Sequence, residues 1–326
     1  MKTCPLISVA AALLSGAAIL SANLSFAGSC CGGGSATTLN VPKYAKAVAD
    51  LSFEMEKYDG FWNQDGVHIK DPPGSDLNQY RMIAGVGYRL AQNWQASISV
   101  PYVWNDNKYS GVSSNTRDLG DTTVSLLYEL HDDPSAWKVR EAADLIPGVT
   151  IGASLLLPTG VSPYDSVTSS FDVTGRGFYR LDGNLLLEKT LQPFNASIAL
   201  SYGTYFERSV NREYGKYVEP YRKSLGDRAS ASGSLGYTYV MGSGGDSIGA
   251  SINYAFLHED DSKYSGKTYD NSGFAKQSFG AALTYANVDS DWSLRAGWNH
   301  GIQSKGWGRN FPTTDIFSMG VRYVFH

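Results

Sequence analysis

Charged side chains of both signs recur at alternate positions of this 326-residue chain, and the residues between them are largely apolar. Asp50, Glu54 and Glu56 are interleaved with Leu51, Phe53 and Met55. Arg81 and Arg89 sit among Tyr80, Met82, Tyr88 and Leu90, and Arg180, Asp182 and Glu188 among Tyr179, Leu181 and Leu187. Asp121, Glu129, Arg228, Arg295 and Arg322 extend the series. Side chains alternate faces along a strand, so these groups share one face. Guanidinium and carboxylate groups confined together can pair into an interlocked structural network, because buried charges need partners. They can equally stay free and form a polar constriction that steers a solute. The residue types leave both open. The candidate constriction consists of Glu54, Arg81, Arg89, Asp121, Arg180, Asp182, Arg228, Arg295 and Arg322. Within it, Arg81, Arg89, Arg180 and Arg295 are expected to face Glu54, Asp121 and Asp182. The mixed signs give no support to a positive face dedicated to acidic sugars.

Other reactive groupings are weaker. His258-Glu259-Asp260-Asp261 has the composition of a divalent-cation loop, but also that of a solvated charge cluster. A hydrolase at the lipid boundary needs Ser, His and an orienting polar group on one strand face. None of His68, His131, His258, His300 and His326 has a serine two residues away on its own strand face, and His300 has only Ser304, across a loop. Cys30 and Cys31 are adjacent with no further cysteine after them, so no disulfide framework exists. Leucine is missing upstream of Cys30, which makes Ala27-Gly28-Ser29-Cys30 a poor lipidation site. No Gly-rich phosphate loop and no metal-ligand spacing occurs, so no cofactor is expected. The net charge of −4 indicates no basic surface and no nucleic-acid partner.

The elements that must position the charged face are strands. The last residues, Phe317, Met319, Val321, Tyr323 and Phe325, alternate with Ser318, Gly320 and Arg322. This is the apolar-out, polar-in pattern of a transmembrane β-barrel. Eleven further segments repeat it, at about 46–58, 77–90, 94–105, 119–130, 148–158, 177–189, 194–206, 226–240, 246–258, 275–287 and 291–300. Short turns alternate with long polar loops at about 59–76, 106–118, 159–176, 207–225, 259–274 and 301–314. The exception is 131–147, a long linker where Ala136 to Leu145 has the pattern of a short surface helix. Aromatic residues gather at both ends of the apolar face, which a soluble sandwich would not require. The expectation is an all-β transmembrane antiparallel barrel of twelve strands with both termini periplasmic. Lys2, the apolar run Leu6 to Leu20 and Ser25-Phe26-Ala27 read as a signal peptide over 1–27. A flexible mature N-terminus over 28–44 and a barrel over 45–326 complete the division.

Short motifs recur within this frame. Leu119-Gly120-Asp121 and Leu225-Gly226-Asp227 each follow a long loop, and Lys-Tyr-Ser-Gly occurs at 108–111 and again at 263–266. Gly there allows a bend, and the Asp can satisfy backbone donors or pair with a lumen arginine. Asp118-Leu119-Gly120-Asp121-Thr122-Thr123 followed by Leu127-Tyr128, Val100-Pro101-Tyr102 and Leu155-Leu156-Leu157-Pro158-Thr159-Gly160 resemble elements of the outer-membrane proteins grouped with the phenol meta-degradation pathway. Asp118 departs from that pattern, standing where a glycine is common. The resemblance covers roughly residues 45–326. It implies a Gram-negative outer-membrane channel or transporter for small solutes, hydrophobic or aromatic compounds among them, without implying phenol itself. The implied partners are outer-membrane lipid, small solutes and, through the C-terminal strand, the barrel-assembly machinery. A structural or surface-interaction barrel is the alternative, and a lipid hydrolase the least supported reading.

Overall fold

Alternation makes a strand half-buried, but only pairing of the last strand with the first turns a sheet into a barrel. The structure, a computed structural model, describes residues 39–326 except 44, 64, 134–138, 168–169, 243–244, 288, 290 and 303–310. Its strands are β1 (Ala47–Trp62), β2 (His68–Ile69), β3 (Asp76–Arg89), β4 (Trp94–Tyr109), β5 (Val112–Leu119), β6 (Thr122–His131), β7 (Gly148–Leu157), β8 (Arg180–Leu191) and β9 (Phe194–Tyr205). They continue with β10 (Arg208–Glu213), β11 (Lys216–Ser224), β12 (Arg228–Val240), β13 (Ser247–Glu259), β14 (Lys263–Tyr264), β15 (Lys267–Thr268), β16 (Phe274–Ala286), β17 (Trp292–Ile302) and β18 (Phe311–Phe325).

Among the described residues, twelve of these are staves of one antiparallel ring, in the order β1, β3, β4, β6, β7, β8, β9, β12, β13, β16, β17, β18. The ring closes where β18 pairs back on β1, from Ala47 opposite Phe325 to Trp62 opposite Phe311. Closure pairs backbone groups that a bilayer could not solvate. The twelve-stave barrel is the architecture expected from the alternation.

The outer face keeps its apolar residues uncovered: Leu51, Met82, Val86, Ile98, Leu126, Leu235, Ile252, Leu283, Leu294 and Met319 are all exposed. An exposed apolar belt of this extent marks a lipid contact rather than a soluble surface. Aromatic rings border it. At the short-turn rim Trp94 packs on Tyr128 at 4.9 Å between ring centroids and Trp292 on Tyr323 at 4.5 Å. At the long-loop rim Phe53, Tyr80, Tyr102 and Trp104 form one cluster with spacings of 5.7–6.2 Å.

Four segments read as polar loops contain β-hairpins; in the first, β2 folds back on the end of β1. β4 and β5 continue beyond the barrel, β10 pairs with β11, and β14 with β15; the last two hairpins join into a separate four-stranded canopy. The repeated Lys-Tyr-Ser-Gly explains two of them. Ser110-Gly111 and Ser265-Gly266 both have φ positive at the two central positions, 50° and 81°, then 47° and 81°. That is the geometry whose twist matches a two-residue hairpin, and glycine adopts it without a Cβ clash. In 131–147, the expected surface helix reduces to a 3-10 turn over Ala142–Leu145, with the Asp144 carboxylate accepting the backbone N–H groups of Arg140 and Glu141. Residues 134–138 lie outside the described residues.

Candidate functional site: the lumen

The inward face follows from the parity of each strand, and two segments outside the wall decide how much of it stays open. The first is the chain just before β1. Of the tail 28–44, expected to be flexible, residues 39–43 fall among the described ones, and they pack inside the barrel at the short-turn rim. Leu39, Val41 and Ala45 form a buried cluster with Val48 and Val324. The inward glycines of β3 make room for them: a Cβ on Gly85 would lie 2.2 Å from Leu39 Cδ1, and one on Gly87 3.0 Å from Val41 Cγ2. Polar wall residues take up the segment's backbone groups. Gln95 Oε1 accepts the Val41 N–H at 2.6 Å, Arg89 donates to the carbonyls of Val41 and Ala45, and Asn40 Nδ2 donates to Glu188 across the lumen at 3.2 Å.

The second segment is 158–179, between β7 and β8, which crosses the long-loop rim. Asn105 and Asn107 of β4 donate to the carbonyls of Val173 and Phe171 at 3.2 and 3.0 Å. Asp121 accepts the backbone N–H of Gly160 and, at 2.7 Å, that of Arg176. The Arg176 guanidinium then reaches Glu259 of β13 in a bidentate pair at 2.7 and 2.6 Å. β4 and β13 are the third and ninth of twelve staves, so the segment is tied to opposite sides of the ring. Tyr164, Phe178, Tyr205 and Val210 pack together where the segment meets the canopy. Burial pushes the Tyr164 hydroxyl well above the ordinary tyrosine range, so it stays protonated.

The charged residues singled out from the sequence divide between these two ends and the wall. Arg81 donates to Glu54 at 3.0 Å and to Glu56 at 2.6 Å, and also to Gln79, which donates on to Asn105. Arg180 pairs with Asp182 at 2.8 Å and donates to Tyr205. Arg89 pairs with Glu129 rather than with any of the three carboxylates expected to face it, through two bonds of 2.9 Å. Arg295 and Arg322 share Asp50, at 2.6 and 3.0 Å. Asp121 holds backbone N–H groups rather than an arginine side chain. Arg228 lies in register with Gly203 and Glu259 near the long-loop rim. Parity could have added Gln95 and Asn105, which are inward and buried, to the set. Arg176 lies in an irregular segment where parity gives no signal, and Glu259 was visible only as part of an acidic cluster.

Pairing leaves the two sides of the lumen unlike each other. From β1 to β7 most inward side chains are buried; Glu56 and Asn105 are 0% exposed, Gln95 1% and Arg81 5%. From β9 to β17 the inward residues are small and mostly uncharged. Asn195, Ser197, Ser201, Ser230, Ser234, Ser251 and Asn253 are partly exposed, and Ser232 and Thr284 are exposed. Hydroxyls bond across neighbouring staves, Ser197 with Ser234 at 2.8 Å and Ser201 with Ser230 at 2.7 Å. At the short-turn rim a cavity of about 300 Å³ lies between Asn40, Lys43, Glu129, Glu188 and Arg322, beside the packed tail. A larger hollow of about 840 Å³, lined by Leu235, Ala250, Leu283 and Trp298, is on the outer apolar face and belongs to lipid contact.

The remaining candidates are accounted for locally. Within His258 to Asp261, His258 bonds Asp260, Glu259 holds Arg176, and Asp261 accepts the Gly273 N–H at 2.7 Å. No group of three or more potential metal ligands is found among the described residues. His300 and Asp315 form a pair at 2.9 Å on the outer face, bordered by Trp298, Phe279 and Phe317. No serine shares that face beside them among the described residues; Ser304 lies outside those residues.

No protein-family model matches the chain, and no curated protein does. Among solved structures, it is similar to an outer-membrane channel from Pseudomonas putida F1, with a TM-score of 0.65 and 13% identity over 90% of this chain and 99% of that one. It also aligns with the β domain of the Bordetella autotransporter BrkA, at a TM-score of 0.49 and 12% identity over 86% and 100% of the two chains. At such identities the first likeness establishes the barrel fold, and the second is too loose to add to it.

Proposed function

We propose that this chain is a Gram-negative outer-membrane channel through which small solutes pass passively. In this reading residues 1–27 are a signal peptide, 28–44 precede the barrel and 45–326 form it. The short turns and both termini face the periplasm, and the canopy of β10, β11, β14 and β15 faces outward. The observation that carries the reading is the contrast between the two faces of one closed wall. Outside is an apolar belt ringed by aromatics; inside, from β9 to β17, is a polar face that solvent reaches. A barrel of this strand number has an interior that side chains largely fill while leaving a narrow path. The fold shared with the Pseudomonas putida channel supports this, and so does the resemblance carried by the sequence motifs, which extends the solute range to hydrophobic or aromatic compounds.

Passive flow needs no cofactor, and no serine stands beside the outer-face His300–Asp315 pair among the described residues, which favours a channel over a lipid hydrolase. Strand β18, which closes the ring, is the surface the barrel-assembly machinery would engage. The segments packed at both rims favour a second reading, a structural barrel without transport. Planar-bilayer recording of the purified, folded protein separates the two. Stepwise conductance supports the channel; a folded barrel that stays silent, and whose liposomes take up no small solute, supports the structural barrel.

A further inference from the structure

Most charged residues of the lumen are paired with one another or bound to the two packed segments, and they sit mainly on the β1–β7 side or near the rims. The middle of the opposite side presents hydroxyls and amides instead. Ser230, Ser232 and Ser234 follow one another at alternate positions of β12, about 7 Å apart. Ser197 and Ser201 of β9 bond two of them, and the exposed Ser232 lies between the two bonded pairs. A hydroxyl is one donor and two acceptor sites, so when two serines bond each other, the pair still has a donor and several lone pairs for a third group. Asn253 of β13, partly exposed on the same face, adds an amide with two donors and an acceptor.

We infer that solute moves along this one side of the lumen, and that the side selects small uncharged molecules bearing hydroxyl or amide groups. The inference rests on the channel reading and narrows it. An ion entering a narrow path loses hydration that neutral hydroxyls replace poorly, whereas a hydroxylated solute exchanges hydrogen bonds with water for nearly equivalent ones with the wall. An apolar solute would leave these wall groups without a partner where it displaces water. The β1–β7 side is less suited to this, because most of its inward side chains are buried.

Liposome uptake of arabinose, and bilayer conductance in potassium chloride, are to be measured on the folded full chain for wild type, the triple variant Ser201→Ala, Ser230→Ala, Ser234→Ala, and Ser232→Leu. A heat-modifiable band on gels controls for folding. The expected result is arabinose uptake by wild type, lowered about fivefold by the triple alanine variant, the loss expected from a few weak hydrogen bonds. Its conductance should change less than about twofold, because removing hydroxyl oxygens does not narrow the path. Ser232→Leu should lower uptake and conductance together. Wild-type conductance with arabinose uptake equal in wild type and the triple variant, or unchanged conductance in Ser232→Leu, overturns the inference and leaves the channel standing. A folded wild type that neither conducts nor takes up arabinose overturns the channel reading and this inference with it.

Discussion

Replacing Arg81 with methionine should unfold the barrel wall from within rather than widen the pore. The guanidinium bonds Glu54 at 3.0 Å, Glu56 at 2.6 Å and Gln79 at 2.7 Å, and Glu56 has no exposed surface. Among the described residues, Lys276 Nζ, at 4.0 Å, is the other cation near Glu56. Methionine keeps much of the stem volume but leaves the buried carboxylate with one distant counter-charge. Removing one partner of a buried pair costs about 3–5 kcal/mol. That corresponds to roughly two to four orders of magnitude in the folding equilibrium. Arg295→Ser provides the contrast. Its side chain is 37% exposed, and Asp50 keeps Arg322 at 3.0 Å, so the loss should stay below about 1 kcal/mol. Adding Glu56→Gln to Arg81→Met should recover at least about 1 kcal/mol, since the two side chains are in direct contact and their effects are not additive. Equilibrium urea unfolding in phospholipid vesicles, followed by tryptophan fluorescence, measures all four proteins. The reasoning is refuted if Arg81→Met lies within about 1 kcal/mol of wild type, or if Arg295→Ser destabilises as much.

Further outcomes concern the faces and the packed segments. Leu283→Arg places a charge on the exposed outer face and should destabilise the membrane-inserted barrel by about 2–4 kcal/mol, while Ser232→Arg, on the exposed inner face, should assemble at wild-type yield; heat-modifiability on gels compares them. Gly85→Leu puts atoms where Leu39 Cδ1 now sits, so residues 39–43 should leave the lumen and trypsin should cut at Lys43 at least several-fold faster, with the barrel itself still protected. Arg176→Gln breaks the bidentate tie to Glu259 and should raise single-channel conductance or its open-state noise; identical recordings would mean that 158–179 does not lie in the ion path.

Parity carried most of the fold into the sequence. Residues such as Met82, Val86 and Leu283 announce an outer face because a strand repeats every two residues, and closure into an even ring follows from the last strand matching the first. What parity could not show is pairing partners. Arg89 and Asp121 point inward as their parity requires, yet Arg89 bonds Glu129 and Asp121 bonds backbone N–H groups, because register across staves, not position along one, decides contact. The hairpins at 208–224 and 263–268 were hidden by their charge and by turns at Tyr214-Gly215 and Ser265-Gly266, whose positive φ values are a property of the folded backbone. The tail before β1 and the crossing segment 158–179 have no period at all, since their backbone groups are satisfied by Gln95, Arg89, Asn105 and Asp121 on distant strands. Charge marks the packed side of the lumen in the sequence, whereas the serines opposite carry no signal beyond their parity.

The central claim is that one side of this lumen is an open path. Single-channel recording of the folded wild-type protein, with a salt gradient across the bilayer, tests it most directly. Discrete conductance steps with a reversal potential close to zero are expected, because the partly exposed side is lined mainly by uncharged hydroxyl and amide groups. A silent bilayer containing correctly folded barrel whose liposomes also take up no arabinose would contradict the account, and so would a reversal potential near that of an ideally selective anion or cation channel.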